Sequence, residues 1–437
     1  FPFAATRLFG SDIAPQACDF AAFSLLGQVA HQPSKPVQAW QSMRRNLIAM
    51  DATKASGREL RATFGSVPGP LRLICNPPYA AAKHATSLAD GTRTRSMYLP
   101  FVEMAWTVAN ERDDAAALVT PLALGTNRSA DHRRCRSALS AAGGEATLLF
   151  FDRQPHALFG EDAKTRATIL VRKAGEPDGI RTSRLLKWTS KQRATIFDQE
   201  RAVHIGRARI GRLVPKLGSS DEVRLYDILD RLRTPIAIRP EPVTAKASEI
   251  VGSALSSHVF VSGTAYNFLN VFRNYPDQIS WRGELSASGI HRLACVDHKQ
   301  ADIVTAIMAS RMAFWLWHVE CDGFHVPAWF LAELPLLNLR FPPETLHELS
   351  LLGRNVWEGL QKDILTSRNK DRLTFAFRPT HVAELRDQVD LLLIDVLGLP
   401  TSIATSLAEF EQKVVSIDGT VRLRKAQNVQ GDNVDAT

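Results

Sequence analysis

Leu71-Arg72-Leu73-Ile74-Cys75-Asn76-Pro77-Pro78-Tyr79 is the stretch that decides the fold. Its first five residues form a short apolar run that reads as the carboxyl end of a buried strand, and the next four are turn formers. The two prolines fix φ and remove backbone donors, so the strand opens into a rigid turn. An amide side chain and nearby carbonyls can accept hydrogen bonds from an amino group there, and the Tyr79 ring can stack on a flat heterocycle. Such a turn suits an exocyclic amino group held beside a methyl donor, although Pro-Pro after a strand is often a plain turn.

Working outward, residues 1–175 alternate strand and helix signals, the pattern of an α/β sheet. Residues 7–12 read as a strand ending in Asp12, and 46–51 as a second ending in Asp51. Leu71 to Cys75 is the third, ending in Asn76. Helices are expected over 14–29, 98–110 and 130–141, further strands over 115–120, 146–151 and 167–171, and a loop over 80–96. Open α/β sheets bind ligands beyond the carboxyl ends of their strands. Asp12, with Ile13 beside it, can accept from ribose hydroxyls. Asp51, with Ala52, can accept from an adenine amino group. Asn76 then faces the reacting centre. Each acid taken singly is as readily a turn or cap residue.

The chain has 437 residues, with 45% hydrophobic and 22% charged. That describes an ordinary globular protein of more than one domain. No apolar run reaches the roughly 18 to 20 residues of a membrane span. A secretory leader is not expected from the first residues, and a cytoplasmic protein is. The sequence begins with Phe1 rather than Met, so a piece of a longer chain is expected. Five scattered cysteines show no metal or disulfide spacing. The net charge of +8 fits a polyanionic partner without proving one.

Past Gly175-Glu176-Pro177-Asp178-Gly179 the texture changes, which sets expected domains at 1–178, 179–416 and a disordered tail at 417–437. Residues 181–216 are rich in Arg and Lys, including Arg207, Arg209 and Arg212, and read either as a phosphate-binding track or as a solvated face. Arg128, Arg133, Arg134 and Arg136 are either DNA contacts or the polar side of a helix. Further helices are expected over 221–232, 299–319, 345–365 and 381–397, with strands near 259–261 and 268–272. Ser262 to Asn267 reads as a turn that could face DNA. Trp315, Trp317, His318, Cys321, His325 and Trp329 read as core, since their spacing fits no zinc pattern.

With these residues in place the chain resembles the gamma class of N6-adenine DNA methyltransferases, including those of fused restriction-modification enzymes. Gly10 to Ala17 is similar to that family's second motif, Asn46 to Asp51 to its third, and Leu73 to Tyr79 to its catalytic fourth. Tyr98 to Glu103, Ala115 to Pro121 and Leu149 to Phe159 resemble later motifs. The likeness covers roughly residues 5 to 175 and is weaker beyond. It implies a class I S-adenosylmethionine-methyltransferase sheet of Rossmann type, followed by a mixed α+β target-recognition domain.

The implied reaction is methyl transfer from S-adenosylmethionine to an adenine flipped out of double-stranded DNA, within a restriction-modification or phage-defence system. The resemblance assigns Asn76, Pro77, Pro78 and Tyr79 to catalysis, and Asp12, Ile13, Asp51, Ala52 and Asn76 to the cofactor. Arg128, Arg133, Arg207, Arg209 and Arg212 are the DNA candidates, and an aromatic between Phe150 and Phe159 would hold the far face of the base. No metal is implied. The family's glycine-rich first motif and its strand are missing from the sequence, so the sheet is expected to lack its first strand. An upstream segment or a partner subunit would carry it. Two other readings stay open: a methyltransferase acting on protein glutamine or RNA guanine, and a non-catalytic DNA-binding or assembly subunit with the same fold.

Overall fold

The structure of the chain is a computed structural model that describes residues 7–28, 36–55, 57–63, 69–159, 165–175, 179–192, 195–196, 202–234, 240–242, 257–265, 267–274, 289–369 and 372–414. Two compact units divide it. One comprises Phe1–Phe150, Thr165–Thr182 and His204–Val214, and the other Phe151–Lys164, Ser183–Val203 and Pro215–Thr437. This differs from a single cut after residue 178: residues 151–164 group with the second unit, and 179–182 and 204–214 with the first. The tail at 417–437 lies outside the described residues.

In chain order the elements run β1 (Gly10–Asp12), α1 (Pro15–Gln28), α2 (Pro36–Arg45), β2 (Leu47–Ala49), α3 (Gly57–Thr63) and β3 (Arg72–Cys75). Then come β4 (Ala81–Ser87), β5 (Arg93–Ser96), α4 (Tyr98–Val108), β6 (Ala115–Pro121), α5 (Ala123–Thr126), α6 (Ala130–Ala141), β7 (Glu145–Phe151), β8 (Ala167–Lys173), β9 (Gly179–Leu186) and β10 (Ala202–His204). Six strands form one sheet in the order β10-β9-β7-β8-β6-β3. β3 runs parallel to β6, with Ile74 opposite Ala117, while β6 and β8 are antiparallel. β1 and β2 pair in parallel as a small sheet of their own.

The alternation of β6 and β7 explains why they sit inside. Ala116, Leu118 and Thr120, and Ala146, Leu148 and Phe150, are buried between half-buried neighbours, and each strand ends on a further buried residue, Pro121 and Phe151. Helix α4 adds Leu99, Val102, Ala105 and Trp106 to the core. β3 behaves differently. Expected as a buried strand, it is instead the last strand of its sheet among the described residues, and Ile74 is 88% exposed.

The loop expected over 80–96 is instead a hairpin, β4 with β5, carrying an irregular register between Ala81 and Thr86. Its strands lack an apolar alternation, so nothing in the residue pattern announced them. The helix expected over 299–319 is two helices. After α7 (Ser220–Arg231), the second unit continues with β11 (Pro240–Pro242), β12 (His258–Ser262), β13 (Val271–Phe272), β14 (Ile290–Ala294), α8 (His298–Ala309) and α9 (Arg311–Glu320). Ser310 separates α8 from α9 in extended conformation, and its hydroxyl accepts from the Ala313 N–H, capping the second helix.

Strands β11 to β14 make an antiparallel sheet in the order β11-β14-β12-β13. The short α10 (Ala328–Ala332) and the long α11 (Pro343–Leu360) follow, then a hairpin of β15 (Ile364–Asn369) and β16 (Arg372–Phe377), then α12 (Ala383–Val396). The helix expected over 345–365 therefore stops at Leu360, and a strand begins at Ile364. Phe260, Phe272, Val356, Trp357, Leu360 and Phe377 share one core cluster. Among the described residues no helix is long and apolar enough to cross a membrane.

Candidate functional site

β3 delivers the tetrapeptide at its carboxyl end. Pro77 is buried and anchors the turn, while Asn76, Pro78 and Tyr79 are exposed. Among the described residues no hydrogen bond engages the Asn76 amide, which leaves two donors and an acceptor for another molecule. Tyr79 is 36% exposed, and partial burial pushes its phenol up to about 12, so the ring is neutral at physiological pH. Burial likewise pushes the Cys75 thiol up to about 11. A thiol so placed stays protonated near neutrality, which argues against a covalent role for it.

The carboxyl ends of β1 and β2 lie side by side, since the Met50 N–H donates to the Asp12 carbonyl at 2.9 Å. Oδ1 of Asp12 accepts from the Ala14 N–H at 2.8 Å, and the exposed carboxylate keeps its second oxygen for an external donor. Ile13 beside it is 72% exposed. Asp51 is half-buried. Its Oδ1 accepts from the Thr53 hydroxyl at 2.6 Å and the Thr53 N–H at 3.1 Å, and its Oδ2 pairs with Lys54 at 3.2 Å. The Thr53 hydroxyl is the main reason the Asp51 carboxyl is held below its usual range. Ala52 is half-buried next to it. The structure thus brings Asp12 and Asp51 together on the small sheet, while Asn76 ends a strand of the larger one.

Beyond the tetrapeptide, the β4–β5 hairpin leaves at Ala81 and returns at Ser96, with the Met97 N–H donating to the Ala80 carbonyl at 3.4 Å. A polar network ties it down. The buried Thr94 hydroxyl donates to Asp131 Oδ2 at 2.7 Å. Oδ1 of the same carboxylate accepts from the Ser129 hydroxyl at 2.5 Å and the His132 N–H at 2.9 Å. Buried His132 joins the Tyr98 hydroxyl at 2.6 Å through Nε2 and the Ser129 hydroxyl at 2.7 Å through Nδ1. Burial alone would raise the Asp131 pKa, but hydrogen bonds from Ser129, Thr94 and His132 outweigh it and hold the carboxyl well below its usual range. Burial lowers the His132 pKa, opposed by Asp131. Sequence reasoning missed this network; the nearness of Thr94 and Asp131 is set by the fold, not by spacing.

The arginines divide by position. Arg133 and Arg134 are exposed on α6, and Arg134 pairs with Asp90 at the hairpin turn. Arg128 and Arg212 are half-buried. Arg136 is fully buried and donates to the carbonyls of Leu124, Asn127, Ile210 and Arg212, at 2.9, 2.9, 3.0 and 2.6 Å. Arg207 donates to the Ser140 carbonyl at 2.9 Å and to that of Gly144, just past the carboxyl end of α6. Arg209 donates to the Ile205 carbonyl. Among the described residues of the basic stretch, these side chains are therefore directed inward. Arg184 pairs with Glu222 at 2.9 Å, and buried Lys216 donates to the Val319 carbonyl at 2.8 Å.

Phe150 and Phe151 lie fully inside the core, whereas Phe159 is 54% exposed. His318 is packed among Phe314, Trp317 and Phe410, and exposed His325 bonds Asp322 at 2.6 Å. In the turn from Ser262 to Asn267, Tyr266 lies outside the described residues.

No protein-family model matches the chain, and no characterised protein matches it in sequence. Solved structures do resemble it. The type IIL restriction-modification enzyme MmeI, solved in complex with DNA, has a TM-score of 0.50 at 9% identity, covering 94% of this chain and 67% of that one. The DrdV–DNA complex gives 0.39 at 11% identity, covering 94% and 67%. The type IIG restriction endonuclease BpuSI gives 0.35 at 10% identity, covering 90% and 63%. Of these three, only the first reaches a TM-score that carries weight, and at such identity it speaks to fold alone. The chain spans about two thirds of each. Its structural neighbours are thus restriction-modification enzymes.

Proposed function

We propose that this chain is the methyl-transferring and DNA-reading part of a restriction-modification protein, acting on the N6 amino group of adenine. The observation that carries the reading is the Asn76-Pro77-Pro78-Tyr79 turn. A buried proline fixes it at the carboxyl end of a parallel strand, and its amide and aromatic ring are left exposed. The adenine would be turned out of the duplex, because its amino group is otherwise held in the base pair. The Asn76 side-chain oxygen and the Pro77 carbonyl would accept from that amino group and orient its lone pair. Tyr79 would stack on the ring, and its neutral phenol suits an uncharged base. Catalysis of this kind is positioning rather than covalent chemistry.

S-Adenosylmethionine would supply an electrophilic methyl group when bound. The carboxylate acceptors at the ends of β1 and β2 fit it in part. Asp12 has an oxygen available for a ribose diol, and the exposed Ile13 offers an apolar face. Asp51 is already engaged by Thr53 and Lys54, yet a carboxylate has about four acceptor positions and can take a further donor. The glycine-rich part of the site is read as belonging to a further strand, from an upstream segment or a partner subunit. Two features favour this: β1–β2 stands as a separate pair, and the outer edge of β3 is unpaired among the described residues.

The test is to incubate the protein as the cell makes it with duplex DNA and methyl-labelled S-adenosylmethionine. Label should enter DNA as N6-methyladenine, and Asn76→Ala should abolish this while DNA binding persists. Label entering protein or RNA but not DNA would refute the reading. So would an Asn76→Ala enzyme of normal rate.

A further inference from the structure

The hairpin that follows the tetrapeptide is built in an unusual way for a loop. Thr94 alone of the middle residues of β5 is buried, and its neighbours Arg93 and Arg95 are exposed on the opposite face. Lys83 on β4 is exposed as well. Between residues 81 and 96 there are three cations against one carboxylate. That carboxylate, Asp90, is engaged by the Thr92 N–H, the Thr92 hydroxyl and Arg134.

The two neighbouring acids are also directed inward. Asp131 accepts from Thr94, Ser129 and His132, and buried Glu103 accepts from the Ala89 N–H at 2.8 Å. Negative charge is thus consumed in holding the hairpin against α4 and α6, while Lys83 and Arg95 are exposed to water. The anchoring also keeps the cations at a set distance from the catalytic turn, because both ends of the hairpin meet at Ala80 and Met97.

We infer that this hairpin is a backbone-gripping arm, in which Lys83 and Arg95 contact phosphates of duplex DNA beside the nucleotide taken up by Asn76 and Tyr79. The inference rests on the function proposed above and adds to it a basic surface beside the tetrapeptide turn, separate from the stretch over 181–216. Phosphate contacts fix register and carry no sequence preference. The arm would therefore strengthen binding to any duplex and leave base choice to other residues.

The experiment is fluorescence anisotropy of the protein as the cell makes it with a labelled duplex, across a range of salt. Lys83→Gln/Arg95→Gln is compared with the unmodified protein and with Lys299→Gln, an exposed cation at the start of α8. Each phosphate contact contributes about 0.9 to the slope of log affinity against log salt, so the double variant should be shallower by about 1.8. Its loss of affinity should be equal for related and unrelated duplex sequences, and Lys299→Gln should match the unmodified protein. If the unmodified protein binds duplex DNA and the double variant keeps its slope, the arm is refuted while the proposed function stands. If the unmodified protein binds no duplex at all, the proposed function falls, and this inference with it.

Discussion

Replacing Arg136 by Met tests how the first unit holds its chain crossings together. The guanidinium is fully buried and donates to four carbonyls, two after β6 and two in the segment 207–212. Two of these bonds are buried and two partly buried; at about 2 kcal/mol for each buried carbonyl left without its donor and about 1 kcal/mol for each partly buried one, the loss is about 6 kcal/mol. Against this stands relief from burying a charge. Burial pushes the Arg136 pKa from 12.5 down to about 10, with Cys135 and Tyr98 opposing the shift, and that depression corresponds to about 3 kcal/mol. Met conserves much of the volume, so the net loss should be about 3 kcal/mol. Urea unfolding measures it. Hydrogen exchange should also show faster exchange at Val214, whose N–H donates to the Gly125 carbonyl beside these bonds. A loss below about 1 kcal/mol with unchanged protection at Val214 would refute the clamp, since that is no more than an ordinary hydrogen bond contributes.

Thr94→Val keeps the hairpin's shape but removes its bond to Asp131. Stability should fall by about 1 to 2 kcal/mol, with exchange rising in residues 81–96 and little elsewhere. His132 gives a pH dependence whose sign is fixed by its lowered pKa. The unfolded ring takes up a proton near the ordinary imidazole value of about 6.5 while the folded ring resists, so stability holds above that pH and falls on acidification below it. Urea midpoints from pH 7.5 to 5 check this, and His132→Gln should flatten the dependence over that range. Gly353→Ala should destabilise the second unit by about 1 to 3 kcal/mol or more, because an added Cβ would lie 1.8 Å from the Asp302 carbonyl oxygen on the packed α8. A thermal melt unchanged from the parent would contradict that contact.

The elements that strong local patterns specify were legible. The apolar run before Asn76, the alternation of β6 and β7, and the helix over 130–141 stand where the residues put them. The hairpin over 81–96 was not legible, because Ala, Thr, Ser and Lys give no apolar alternation and its pairing is fixed by tertiary bonds such as Thr94 to Asp131. The break at Ser310 was hidden in a run whose apolar spacing continues through it. The arginines show the deepest limit. Arg136 and Arg207 look in sequence like their exposed neighbour Arg133, and only the fold decides which guanidinium meets a carbonyl and which meets water. For the candidate site, the residue types at strand ends were readable, while the engagement of Asp51 by Thr53 and Lys54 was not.

The rim of β3 has a consequence for handling the protein. Among the described residues the outer edge of β3 is unpaired; a sheet edge with open N–H and C=O groups and an outward isoleucine is a ready template for another strand, and natural proteins usually blunt such rims with charge or a bulge. Here Arg72 is the strand's lone charge, and its guanidinium is turned to the Leu71 and Asp113 carbonyls. Prepared as these residues alone, the chain should self-associate in a concentration-dependent way. Ile74→Lys should suppress that association in light scattering without lowering the melting temperature.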